Sequence, residues 1–149
     1  MSRNLLLAAA LAACPLVAVA QRSEPAPSVA DIVHTRQSKM GRGGRELHAI
    51  EQATSSGAPL SAVAEPIRWL VQWSDELPTL FPEGSNGEDM GARPSVWSNP
   101  TGFAAAANRF REATRQLAEA AATDDRAAMT RRIRAVWDAC EGCHADFTG

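Results

Sequence analysis

Cysteine is scarce in this chain: Cys14, Cys140 and Cys143 are the only three in 149 residues. Cys14 falls in an N-terminal leader, and the other two stand three apart in one short motif, so no pair is left for a structural disulfide. A zinc site would need two further ligands, and no remaining cysteine supplies them. An excess of either charge is lacking as well. The chain has 15 basic and 17 acidic residues, and this mildly acidic balance argues against nucleic acid as a partner. Beyond the leader no apolar run approaches the roughly 20 residues of a transmembrane helix. No stretch alternates with the period of two that marks a half-buried strand. No constellation of nucleophile, acid and base points to substrate turnover, so an enzyme is not expected.

Residues 1–20 read as a secretory signal. Arg3 gives a positive start, Leu5 to Ala13 an apolar stretch, and Ala18-Val19-Ala20 before Gln21 a small-x-small cleavage site. The stretch is too short to span a membrane and is broken by Pro15. A rival reading takes Leu11-Ala12-Ala13-Cys14 as a lipoprotein signal that leaves Cys14 acylated. The apolar run continuing from Pro15 to Val19 speaks against it. The mature chain is then residues 21–149, about 129 residues, enough for a single domain with its own core. Loss of Arg3 leaves 14 basic against 17 acidic side chains.

At the other end stands Cys140-Glu141-Gly142-Cys143-His144, a C-x-x-C-H motif. This is the attachment signature of c-type haem. Two thiols add across the two porphyrin vinyl groups and become thioethers, and the histidine that follows offers an imidazole nitrogen to the iron. The spacing suits one turn of helix, since positions three apart share a face. A redox dithiol of the thioredoxin kind would need a βαβ setting, and none is visible. Covalent haem attachment in bacteria follows export, which agrees with the leader and places the mature chain in the periplasm.

Four amphipathic helices are expected. Ser28 caps a first helix from Val29 that carries Ile32, Val33, Arg36, Met40, Leu47 and Ile50. Gly41, Gly43 and Gly44 weaken it mid-way, as a kink, a close approach or a true break. A second helix runs from about Ser61 to Leu77, with Val63, Ile67, Leu70, Val71 and Leu77 on one face and Trp69 and Trp73 on another. Pro66 is tolerable only in its first turns. Pro78 to Pro100 is a long crossover connection. Asn99-Pro100 opens a third helix to about Ala122, with Phe103, Phe110 and Leu117 as its seam and Arg109, Arg111, Glu112, Arg115 and Glu119 as its wet side. Thr123-Asp124-Asp125 caps a fourth, whose stripe of Met129, Ile133, Val136 and Trp137 runs into Cys140 and His144. The expected fold is all-α, a four-helix bundle with the haem against its interior.

A C-terminal C-x-x-C-H on such a bundle resembles the class II c-type cytochromes, the cytochrome c′ family, itself a standard example of the four-helix bundle. The resemblance covers essentially the whole mature chain. Arg36 to Met40 looks like the family's first-helix segment near the haem. Leu77 to Ser85 looks like its connection between helices two and three, and Trp97 with Phe103 like the entry to its third helix. Many members carry arginine four residues after the proximal histidine; here that place is Thr148. The resemblance implies one haem c, His144 as the proximal iron ligand, redox-protein partners and a dimer through the first two helices.

What fills the sixth position of the iron decides between pure electron transfer and small-ligand binding. Met129 is about 22 Å from His144 along one helix and is excluded. Met90 lies in the crossover, and His34 and His48 are on the first helix six and eight residues from Met40. By resemblance Met40 is the distal residue. The low-spin relatives bind iron through a methionine there, whereas the high-spin members hold an apolar residue that covers the face. The expectation is the low-spin branch, an electron carrier with His144 and Met40 as axial ligands. The alternative is five-coordinate iron that binds nitric oxide or carbon monoxide. A further reading is a haem module that docks to a larger redox enzyme through the tryptophan pair and the acidic crossover. The glycines after Met40 could let the first helix approach the porphyrin. Arg36, one turn before Met40, is either a partner of a haem propionate or a solvated helix charge.

Overall fold

A computed structural model describes residues 26–86 and 91–149. The leader with Cys14, the cleavage site, and Glu88, Asp89 and Met90 of the crossover lie outside the described residues. The architecture is the expected antiparallel four-helix bundle. Helix α1 (Val29–Ser55) begins in a capping box: the Ser28 hydroxyl accepts from the Asp31 amide at 3.2 Å, and the Asp31 carboxylate accepts from the Ser28 amide at 3.1 Å. A 3-10 turn (Leu60–Val63) leads into α2 (Ala64–Glu76), and a second 3-10 turn (Leu77–Leu80) ends it. Pro66 therefore sits in the first turn of α2, where a missing amide hydrogen is harmless. The crossover contains a one-turn helix, α3 (Ser95–Ser98). Helix α4 (Pro100–Ala122) starts on an Asn99 cap whose side chain accepts from the Gly102 amide at 3.1 Å. Helix α5 (Arg126–Phe147) starts on Asp125, which accepts from the Ala128 amide at 2.9 Å.

The four long helices form a ring of neighbours, α1–α2–α4–α5 and back to α1. Arg126 at the start of α5 donates to the carbonyl of Thr54 in the last turn of α1 and to that of Ala58 just after it, at 3.0 and 2.9 Å. Those two helices thus run in opposite directions, and the start of α1 meets the end of α5. The expected seam residues Phe103, Phe110 and Leu117 are buried, as are Leu47, Ile50, Met129, Ile133 and Val136.

Helix α1 is unbroken through its glycines. Gly43 is buried, and a Cβ there would run into the benzo edge of Trp73 on α2. The close approach at Gly43 is between two helices, α1 and α2. Gly44 faces open space. The tertiary contact with α2 outweighs the weak helix propensity of glycine.

The tryptophan pair is also placed differently from the docking reading. Trp73 is buried and stacks on Trp69, with centroids 5.2 Å apart and planes at 22°. Trp69 is half-buried and is covered by the Arg42 guanidinium at 4.2 Å. The pair is core and lid, not an exposed apolar face, because the gap at Gly43 admits the Trp73 ring.

Candidate haem-binding site

Cys140 and Cys143 lie on one face of α5, half-buried and unbridged. Burial pushes the Cys140 thiol up to about 11, and burial likewise raises Cys143. A thiol built for redox exchange needs the opposite, a stabilised thiolate. Apolar surroundings suit thioethers, which carry no charge. Among the described residues no cluster of three or more His, Cys, Asp or Glu side chains could hold a metal ion.

His144 is exposed at the rim of the bundle and borders a cleft of about 240 Å³. Arg36 and Met40 from α1, Phe81 after α2, Phe103 from α4 and Cys143 from α5 share that cleft. A second space of about 30 Å³ adjoins it, walled by Met40, Trp73, Leu77, Phe110, Cys140, Cys143 and His144. Met40 and His144, from the neighbouring antiparallel helices α1 and α5, thus border both spaces. The structure brings together Arg36, Met40, Cys143 and His144 as the sequence proposed, with Cys140 at the second space. His34 and His48 are exposed on α1 and border neither space. A larger groove of about 550 Å³ between α1 and α5 is lined by Glu51, Arg134 and Glu141 and holds none of the proposed ligands.

Arg36 is not a solvated helix charge. It is 3 % exposed. Its guanidinium donates to the carbonyls of Leu80 and Ser85 and to the Ser85 hydroxyl, all at 3.4 Å, and lies 4.7 Å over the Phe81 ring. Burial lowers its pKa from the ordinary arginine value, as expected for a charge withdrawn from water.

Sequence reasoning missed how the crossover holds the end of α5. The Arg93 amide donates to the Phe147 carbonyl at 2.9 Å, the Arg93 guanidinium to Ala145 at 2.9 Å, and the Ser95 hydroxyl to Asp146 at 2.8 Å. Ala92 and Thr148 form an isolated antiparallel bridge. Carbonyls that every helix end leaves unpaired are satisfied by a segment far away in sequence. Trp97 Nε1 donates to the Phe81 and Pro82 carbonyls at 3.2 and 3.0 Å, fixing Phe81 over the cleft. Phe81, Phe103 and Phe147 form a second apolar cluster around Val96, beside Cys143. The aromatic residues were visible in the sequence, but their convergence was not.

A family model described as Cytochrome C′ matches residues 31–148. The chain belongs to the cytochrome c′ family. It is 28% identical over 147 residues to a cytochrome c′ of Rhodospirillum rubrum, spanning 97% of each chain. Identity to a cytochrome c′ of Rubrivivax gelatinosus is 34% over 121 residues, 78% of this chain and 93% of the relative. The crystal structure of cytochrome c′ from that organism superimposes with a TM-score of 0.74 at 29% identity, covering 81% of this chain and 97% of that one. The fold also matches a cytochrome c′ from Alcaligenes xylosoxidans. One of its variants, solved as a nitric oxide complex, matches with a TM-score of 0.75 at 21% identity, covering 83% of this chain and 98% of that one. Another, solved with carbon monoxide bound, matches with a TM-score of 0.74 at 23% identity, covering 81% and 96%. As a member of this family the cytochrome carries one covalently attached c-type haem. No helix of the described residues is long and apolar enough to cross a membrane.

Proposed function

We propose that this cytochrome is a periplasmic monohaem protein in which Cys140 and Cys143 hold the haem, His144 is the one strong axial ligand, and Met40 covers the other face. Small ligands such as nitric oxide and carbon monoxide then reach the iron. The observation that carries this reading is the setting of Met40: it is half-buried and packs into the main apolar core. A methionine on a helix stripe is more often core filler than ligand, and as filler it covers an iron face without bonding to it. The nitric oxide and carbon monoxide complexes of the Alcaligenes xylosoxidans relative support the same reading. The family haem supplies the iron chemistry. The chain's own part is to anchor the ring, bury one face and present an imidazole. Arg36, whose present bonds are long, is proposed to pair with a propionate at the cleft, a charge-assisted contact that competes well with neutral carbonyls.

The second reading is the one expected from the sequence, the Met40 thioether on the iron of a pure electron carrier; the ligand complexes of the relatives favour the first reading over it. The shared walls of Met40 and His144 speak for the second. Absorption spectra of the oxidised, reduced and carbon monoxide-treated holoprotein decide. A high-spin spectrum that shifts at once with carbon monoxide is the expected result. A low-spin spectrum with the far-red methionine–iron band, lost in Met40→Leu, would establish the second reading. Under either, redox proteins are the proposed partners. A homodimer is also proposed, supported by a neighbouring cytochrome c′ structure described as showing ligand-controlled dimer dissociation.

A further inference from the structure

Trp73 is 5 % exposed, yet its indole Nε1 is buried with no hydrogen-bond partner. Among the described residues the other such atom is Arg111 Nε, and that one lies in an ion pair with Asp75 at 2.9 Å. Buried N–H groups left without an acceptor are rare in folded proteins, and each asks for a reason.

The placement of the ring supplies one. Its benzo edge, Cε3, Cζ3 and Cη2, abuts Gly43 on α1. The covalent geometry of indole puts Nε1 on the edge away from that contact. Gly43 is three residues from Met40 on α1, so Trp73 packs against the helix that carries Met40. Trp73 also walls the cavity of about 30 Å³ that Met40, Phe110, Cys140 and His144 border. A space of that size takes one water or one diatomic molecule and little more. Its walls are hydrocarbon, ring and sulfur apart from the His144 imidazole, so the chain itself offers Nε1 little to bond.

We propose that Trp73 is a hydrogen-bond donor to a small ligand on the haem iron. The indole N–H meets the outer, electron-rich atom of a bound diatomic, or a bound water or hydroxide. Indole donates and cannot accept, so it favours ligands that gather negative charge away from the iron. A single donor in a dry site is enough to change affinity, since distal donors are among the few levers a haem protein has over its ligand. This rests on the reading that the Met40 side of the iron is open to ligands.

The test compares the holoprotein with Trp73→Phe, which keeps an aromatic ring and removes the N–H. The ferrous carbon monoxide complex is read by infrared absorption and by the rate of ligand release. In the variant the C–O stretch moves to higher wavenumber and release quickens about five-fold, the equivalent of about 1 kcal/mol for one hydrogen bond. Deuteration shifts the stretch in the parent and not in the variant. Equal stretches and equal rates, with both proteins folded by circular dichroism, overturn the proposal and leave the N–H facing the Phe110 ring, 5.2 Å away and inclined at 72°. A parent that takes up no carbon monoxide overturns the open-iron reading instead. The same pair is then compared in a Met40→Ala background, where no thioether competes for the iron, and the same two readouts decide.

Discussion

Where the end of α1 meets the start of α5, Leu47, Ile50, Leu117, Met129 and Val136 are each at most 1 % exposed, and Arg126 ties the two helices by their carbonyls. Where the start of α1 meets the end of α5, Met40, Cys140 and Cys143 are half-buried, His144 is exposed, and two spaces open between the helices. The first region has a core of aliphatic side chains closed to solvent, and the groove of about 550 Å³ beside it runs along its polar rim at Glu51 and Thr130. The second is walled by rings and sulfur and is held from outside by the crossover. One bundle thus keeps its stability at one end and its chemistry at the other, and the gap needed by the haem does not have to be opened in the best-packed layer.

The largest effect should come from the open end. Cys140→Ala with Cys143→Ala removes both thioethers, so acid–acetone extraction should strip the haem completely, whereas the parent retains it. Leu117→Ala attacks the closed end: a cavity at a fully buried leucine costs about 3 kcal/mol in denaturant titration. The haem spectrum should not change, and a changed spectrum would show that the two ends are not separable. Gly43→Ala tests the boundary between them. The added methyl meets Trp73 and should destabilise by about 2 kcal/mol through overpacking, with a visible shift of the haem bands because Trp73 walls the site.

Two smaller effects probe the ends of helices. Arg93→Ala removes a donor from the end of α5 and should cost about 1 kcal/mol, with faster amide exchange at the end of α5 and none at its start. The smallest is a matter of pH. Hydrogen bonds from Ser28 hold the Asp31 carboxyl below its ordinary value, so its contribution is present above that value and lost as pH falls through the lowered one. Amide exchange at the start of α1 should quicken in that acid range and not near neutrality, while the denaturation midpoint barely moves.

Much of the fold was legible because its signals are local. Ser28, Asn99 and Asp125 cap the helices they were expected to cap, and the seam at Phe103, Phe110 and Leu117 faces inward. The C-x-x-C-H motif is likewise self-contained, since one turn of helix fixes its three reactive groups. Three readings needed partners that no local signal names. Gly43 could be read as a kink, a close approach or a break, and is a close approach that seats Trp73. The tryptophan pair could be read as tightly buried or as a docking face, and is core with a lid. Arg36 could be read as a solvated charge and is buried under Leu80, Phe81 and Ser85.

By itself the sequence determined the helices, their caps, the inward stripes and the covalent attachment of the haem, because each depends on residues a few positions apart. Only the tertiary structure decided how Met40 and His144 come to border one cleft, how the crossover grips the end of α5, and why Trp73 is left with an unanswered N–H. Those depend on side chains tens of residues apart meeting in a packed interior, where burial and shape select one arrangement that periodicity leaves open.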